Sequence, residues 1–144
     1  MKLIAALLLS AAAAAVQAYD AGDFKGKFAG TDTTGIHSDN GTEEKGKMKI
    51  WFNKLKSDPD GDGGTVEGKF FYVGEHDGED DAEDIVGVWF KDGTFHMIET
   101  EQSGTLDGSL HGKGDDMYLS VVLTEPGSGD HDGLVAAGHR LDKK

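Results

Sequence analysis

Three aspartates at alternate positions, Asp58, Asp60 and Asp62, stand directly ahead of Gly63 in the run Ser57-Asp-Pro-Asp-Gly-Asp-Gly-Gly. Carboxylates spaced in this way before a glycine match the first half of an EF-hand calcium loop, where alternate residues supply oxygens and a glycine makes the sharp turn. The second half departs from the template. Lys69 stands where a bidentate glutamate should close the shell, and Glu67 comes two residues early, at the start of an apolar, strand-like segment. A calcium ion wants about six to eight oxygens, so water or a neighbouring loop would have to supply the rest. The competing reading is simpler: Asp, Pro and Gly are the residues that strand-to-strand turns prefer, because their side chains and φ values suit tight reversals. A turn is the first expectation and a Ca2+ loop the second.

A second set of residues has transition-metal chemistry. His37 and Asp39, the run Glu75-His76-Asp77, and the run Asp130-His131-Asp132 place imidazoles beside carboxylates, the pairing that fixes a metal-binding ring in one tautomer. These residues come from three separate polar segments and include no tight His-x-His pair, so the same composition also describes a solvated acidic surface. Nothing else in the chain resembles a reaction centre. There is no cysteine, no serine in a nucleophile turn and no glycine-rich phosphate loop before a helix. The expectation is a protein that binds rather than catalyses.

The opening residues bear on where such a protein works. Lys2, the apolar stretch Leu3 to Val16 and the small-x-small ending Val16-Gln17-Ala18 read as a secretory signal, giving a signal segment 1–18 and a single domain 19–144. The apolar run falls short of the roughly 20 residues that cross a bilayer as a helix. The expected location is the periplasm or the extracellular space. Beyond the signal, 13 basic residues against 27 acidic ones leave a formal charge of −14. A field of that sign disfavours nucleic acid and favours cations or a basic protein.

All 22 glycines follow the signal, and only two prolines occur. The glycines separate short apolar segments, as the turns of a β protein do. Eight segments alternate or nearly alternate: 24–30, 47–55, 65–73, 85–91, 94–100, 105–112, 117–124 and 134–141. In the second of them Met48, Ile50 and Phe52 share one face while Lys47, Lys49 and Asn53 share the other. Strict alternation of this kind marks a half-buried strand.

A glycine between two large apolar residues recurs at Phe24-x-Gly26-x-Phe28, Val66-x-Gly68-x-Phe70, Ile85-x-Gly87-x-Trp89 and Leu106-x-Gly108-x-Leu110. A missing side chain on the concave face lets a strand coil sharply, the device that closes a sheet on itself. Eight strands with such a face predict an all-β, up-and-down antiparallel meander closed into a small barrel after the N-terminal signal helix. The pattern resembles the avidin and lipocalin type of barrel in architecture, a likeness that specifies no ligand. Lipid-facing strands are ruled out by the lysines opposite the apolar faces, so no membrane insertion is expected.

In a meander, alternate connections share an end of the barrel. The first, third, fifth and seventh, including segments 31–44, 74–84 and 125–133, would therefore gather His37, His76, Asp77, Asp130, His131 and Asp132 at one rim. Asp92-Gly93, read as a two-residue turn, pairs Trp89 with His96 and Gly87 with Ile98. With glycine faces inward, Ile85, Trp89, His96 and Ile98 would line the interior and could orient a small ligand, unless side chains alone fill it. The function expected is thus an exported binding protein for a small molecule or a cationic partner. An inhibitor or immunity protein docking on a basic toxin or hydrolase, and a calcium-stabilised surface domain, are the alternatives.

Overall fold

The computed structural model describes residues 17–74, 82–127 and 133–144. A short helix, α1 (Ala21–Phe24), precedes eight strands: β1 (Gly26–His37), β2 (Glu43–Ser57), β3 (Gly63–Gly74), β4 (Glu83–Phe90), β5 (Thr94–Glu99), β6 (Thr105–His111), β7 (Tyr118–Glu125) and β8 (Leu134–Lys143). Each strand pairs antiparallel with the next, and β8 returns to β1 through pairs such as Phe28 with Lys143 and His37 with Leu134. The sheet is a closed up-and-down barrel, the architecture that the alternation predicts.

The strands tilt as they close. A row of partners that leaves β1 at Gly26 passes Phe52, Gly68, Ile85 and Glu99, then Glu125 and Leu134, and rejoins β1 at His37, near its other end. Closure with this stagger needs strong local bending, and the inner glycines permit it. A Cβ at Gly68 would overlap the Trp51 carbonyl oxygen, and one at Gly87 the carbonyl of His96. At Gly108 the space is taken by the Phe95 ring, 2.5 Å from where the Cβ would sit.

The first occurrence of the glycine pattern is only partly a strand feature, since Gly26 and Phe28 belong to β1 but Phe24 does not. Phe24 belongs to α1, whose N-terminus is held by Asp20. Its Oδ1 accepts from the Gly22 and Asp23 N–H groups at 2.7 and 3.1 Å, while Asp23 Oδ2 accepts the Asp20 N–H at 2.9 Å. This capping box sets the turn that drives Phe24 into the barrel. There it lies against Trp89 (5.4 Å between ring centroids), Phe52 (6.1 Å) and Phe95 (6.4 Å). The Tyr19 N–H, donating to the Lys91 carbonyl at 2.8 Å, ties the segment across the same end. Aromatic rings therefore close the barrel at the end where β1 begins.

Two expectations need correction. Residues 31–37, expected in a long loop, extend β1. A bulge between Gly30 and Thr33 interrupts the register, after which Thr34 and Gly35 pair with both β2 and β8. Polar Thr-Thr-Gly lacks the apolar alternation that marks a strand, but closure gives its backbone partners on both sides.

The β4–β5 hairpin is the second. Its turn has three residues, Lys91-Asp92-Gly93, with Gly93 at φ +96° and its N–H donating to the Phe90 carbonyl at 3.0 Å. Asp92 accepts from both the N–H and the hydroxyl of Thr94, at 2.9 and 2.6 Å, which holds its carboxyl below the usual aspartate range. The extra residue shifts the register by one, so Trp89 pairs with Phe95, Val88 with His96 and Val86 with Ile98. A one-residue slip turns every side chain of a strand to the other face. Ile85 and Trp89 point inward as expected. His96 and Ile98 point out: Ile98 is 47% exposed, and His96 is hydrogen-bonded to Asp107 on the outer wall.

Candidate functional site

The interior has two unlike halves. Around Trp89 it is filled by Phe24, Phe52 and Phe95, and the indole N–H reaches the Lys56 carbonyl at 3.3 Å. These side chains pack around Trp89, while Ile85, also buried, pairs with Glu99 across the β4–β5 ladder. At the opposite end, where β1, β3, β5 and β7 finish, the inward positions change character. Following each strand's buried alternation to its end gives His37 after Thr33 and Gly35, Glu44 before Gly46 and Met48, and Tyr72 after Gly68 and Phe70. It likewise gives Glu83 before Ile85, Glu99 after Phe95 and Met97, and Glu125 after Val121 and Leu123. Four carboxylates, a phenol and an imidazole thus ring the mouth, above a floor that includes Met48, Phe70, Met97 and Leu123.

Glu44 is the best-defined member. Its side chain is 7% exposed; Tyr72 donates its hydroxyl to Oε1 at 2.6 Å, and His37 Nε2 lies 3.3 Å from Oε2. Three glycines make room for this group. A Cβ at Gly35 would lie 2.6 Å from the Tyr72 hydroxyl, one at Gly46 2.8 Å from the same ring, and one at Gly74 would overlap Glu44 Oε2. The strands here are shaped around a polar cluster.

Glu99 faces the interior from β5 and is 3% exposed. Oε2 accepts the Gly104 N–H at 3.1 Å, whereas Oε1 has no hydrogen-bond partner among the described residues, as is also true of the buried Thr33 hydroxyl. Burial pushes the Glu99 carboxyl above the ordinary glutamate range. The Gly104 N–H opposes that shift and the nearby Glu83 charge, itself bonded to Gln102 at 3.0 Å, adds to it.

A carboxyl raised in the fold binds a proton more readily folded than unfolded, so stability falls as pH climbs from the ordinary glutamate range through the raised value. Below that range both states are protonated and the dependence ends. Glu99→Gln removes the titration. The melting temperature of the variant is expected to gain on that of the native protein as pH rises from about 4 to about 7. A constant offset across that interval would contradict the assignment.

The aspartate loop is a tight turn. The Gly61 N–H donates to the Asp58 carbonyl at 3.0 Å, the Asp58 N–H to the Gly63 carbonyl at 2.8 Å, and Gly61 takes the positive φ of +75°. The calcium template needs that turn at Gly63, which instead begins β3 and is buried against the β4 backbone. Glu67 is paired with Lys54 at 2.7 Å on the outer wall. Asp58, Asp60 and Asp62 lie at the plugged end, away from the mouth. Among the described residues no group of three or more histidine and carboxylate side chains is disposed to hold a metal ion.

His37 lies at the rim, on a strand rather than in a loop. His76 and Asp77, with Asp130, His131 and Asp132, lie outside the described residues. The bases of their segments, Gly74 and Gly133, border the mouth, where the Ser38 N–H donates to the Gly133 carbonyl at 2.8 Å. Sequence reasoning passed over Glu44, Tyr72, Glu83, Glu99 and Glu125. The available signal was the alternation itself: Phe95, Met97 and Glu99 share a face, and an acid that ends an apolar register points where the register points. No protein-family model, curated protein or solved structure matches the chain.

Proposed function

We propose that this chain is an exported, non-catalytic binding protein that receives a cationic group in the acidic mouth of its barrel. The observation that carries the reading is Glu99, buried with one carboxylate oxygen unpartnered among the described residues, in the same mouth as the glycine-cleared Glu44–Tyr72 pair. Burying a carboxylate is unfavourable unless something positive compensates, and an ammonium or guanidinium group would do so. Carboxylates that, among the described residues, form no group disposed to hold a metal ion suit an organic cation, or a lysine or arginine side chain of a partner protein. Tyr72 would offer such a cation its ring or its hydroxyl.

The test is calorimetric titration with spermidine and with an arginine-containing peptide as probes. Binding to at least one is expected, weakening with added salt and falling at least about tenfold in Glu44→Gln. Binding by neither probe, or equal binding by the variant, would refute the reading. Preference for the peptide over spermidine would favour the inhibitor or immunity class of partner.

A further inference from the structure

The outer wall carries charge of the opposite sign to the mouth. On β2 the outward register reads Lys45, Lys47, Lys49 and Trp51, and across the adjoining strands Trp51 pairs with Lys27 on one side and Lys69 on the other. Two depressions meet at Lys49. One, of about 400 Å³, is floored by Ala29 and Gly30 at the β1 bulge and has Lys47, Arg140 and Lys144 on its banks, with Asp32 and Asp142. The other, of about 260 Å³, lies between Trp51 and Phe71 and is flanked by Lys27 and Lys69.

Six cations and two acids border this face of a chain whose net charge is −13. Lys69 is paired with Asp84 and Arg140 with Asp142. Lys27, Lys47 and Lys49 have no carboxylate within ion-pair distance among the described residues, and Lys49 sits 4.8 Å from the centre of the Phe71 ring. Trp51, at 52%, is the most exposed large apolar side chain described. A large indole left in water among unpaired ammonium groups has no role in the core, which lies on the other side of the strand.

From this segregation we infer that the β1–β2–β3 wall is a second binding surface, distinct from the mouth, for an acidic polysaccharide of the uronate type. A sugar ring presents a flat C–H face that packs on the negative face of an indole, while its hydroxyls stay in water. Its carboxylates meet the lysines bordering the two depressions. Nucleic acid fits less well, because its denser charge would be repelled by the rest of this acidic molecule. A bilayer fits less well because it is a plane, whereas these cations border hollows in a convex wall. The polysaccharide carries about one charge per ring, and a single strand of it can follow the line from Arg140 to Phe71.

Co-sedimentation or biolayer interferometry with polygalacturonate tests this, with dextran, single-stranded DNA and anionic phosphatidylglycerol vesicles as comparators. Polygalacturonate is expected to bind and dextran not to. Binding should weaken as salt is raised and should fall about tenfold in Trp51→Ala and at least as much in Lys47→Glu/Lys49→Glu. Trp51 and Lys47 are exposed and Lys49 is half-buried on the outer wall, so an unchanged melting temperature will show that both variants fold. Absence of polygalacturonate binding overturns the inference. So does binding that survives both variants, or tighter binding to the DNA or the vesicles. Because Glu44→Gln leaves this wall intact, it should bind polygalacturonate like the native protein, which separates failure here from failure of the proposal for the mouth.

Discussion

Phe24→Ala is expected to lower the melting temperature by roughly 10–20 °C, following a loss of about 3–5 kcal/mol. Phe24 is 1% exposed and touches three other aromatic rings of the core besides Tyr19, so truncation leaves a cavity that the fixed strands around it cannot fill. It also removes the reason for α1 to fold inward, since a helix of one turn has too little internal hydrogen bonding to persist unaided. Thermal unfolding followed by circular dichroism, with Phe90→Ala as the exposed comparison, is the measurement. Phe90 lies on the outer wall and its loss should stay within about 0.5 kcal/mol. Equal effects in the two variants would mean that α1 does not close the barrel.

Gly87→Ala is expected to destabilise by about 3 kcal/mol, a large effect for a single methyl group. The added carbon would overlap the His96 carbonyl oxygen and lie 2.7 Å from Met97 Cα, and both are backbone atoms of the paired strand. No rotamer change can relieve that contact, so β4 and β5 must part or the barrel must open its bend. Amide hydrogen exchange should accordingly rise in Trp89 and Met97 ahead of the remainder of the sheet. A change below about 0.5 kcal/mol, with exchange unaltered, would show that inner glycines are not what lets the wall curve.

The strands were legible because burial on one face of a sheet writes a period of two into the sequence, and Met48-Lys49-Ile50-Trp51-Phe52 carries that period plainly. Their order around the barrel was legible too, since short turns leave a meander few alternatives. Register was harder. Asp92-Gly93 fits a two-residue turn and a three-residue turn ending in glycine equally well, and only the inward fit of Phe95 against Phe52 and Phe24 selects the second. That single residue moved His96 and Ile98 from a supposed ligand site to the outer wall.

The site followed the same division. Sequence alone indicated acids and His37 at one end of a barrel. It could not separate the buried Glu44 and Glu99 from the many solvated acids around them, because their desolvation depends on Gly35 and Gly74 on the neighbouring strands and on Gly104 across a turn, as well as on the nearby Gly46. Nor did a net charge of −13 disclose a basic wall: a sum over residues loses their positions, and β1, β2, β3 and β8 bring lysines and an arginine together only once the sheet has closed. The alternation within strands and their number were readable along the chain, because both follow from local chemistry. Which faces meet, which carboxylates lose their water and where like charges collect were decided by tertiary closure, because each depends on neighbours distant in sequence.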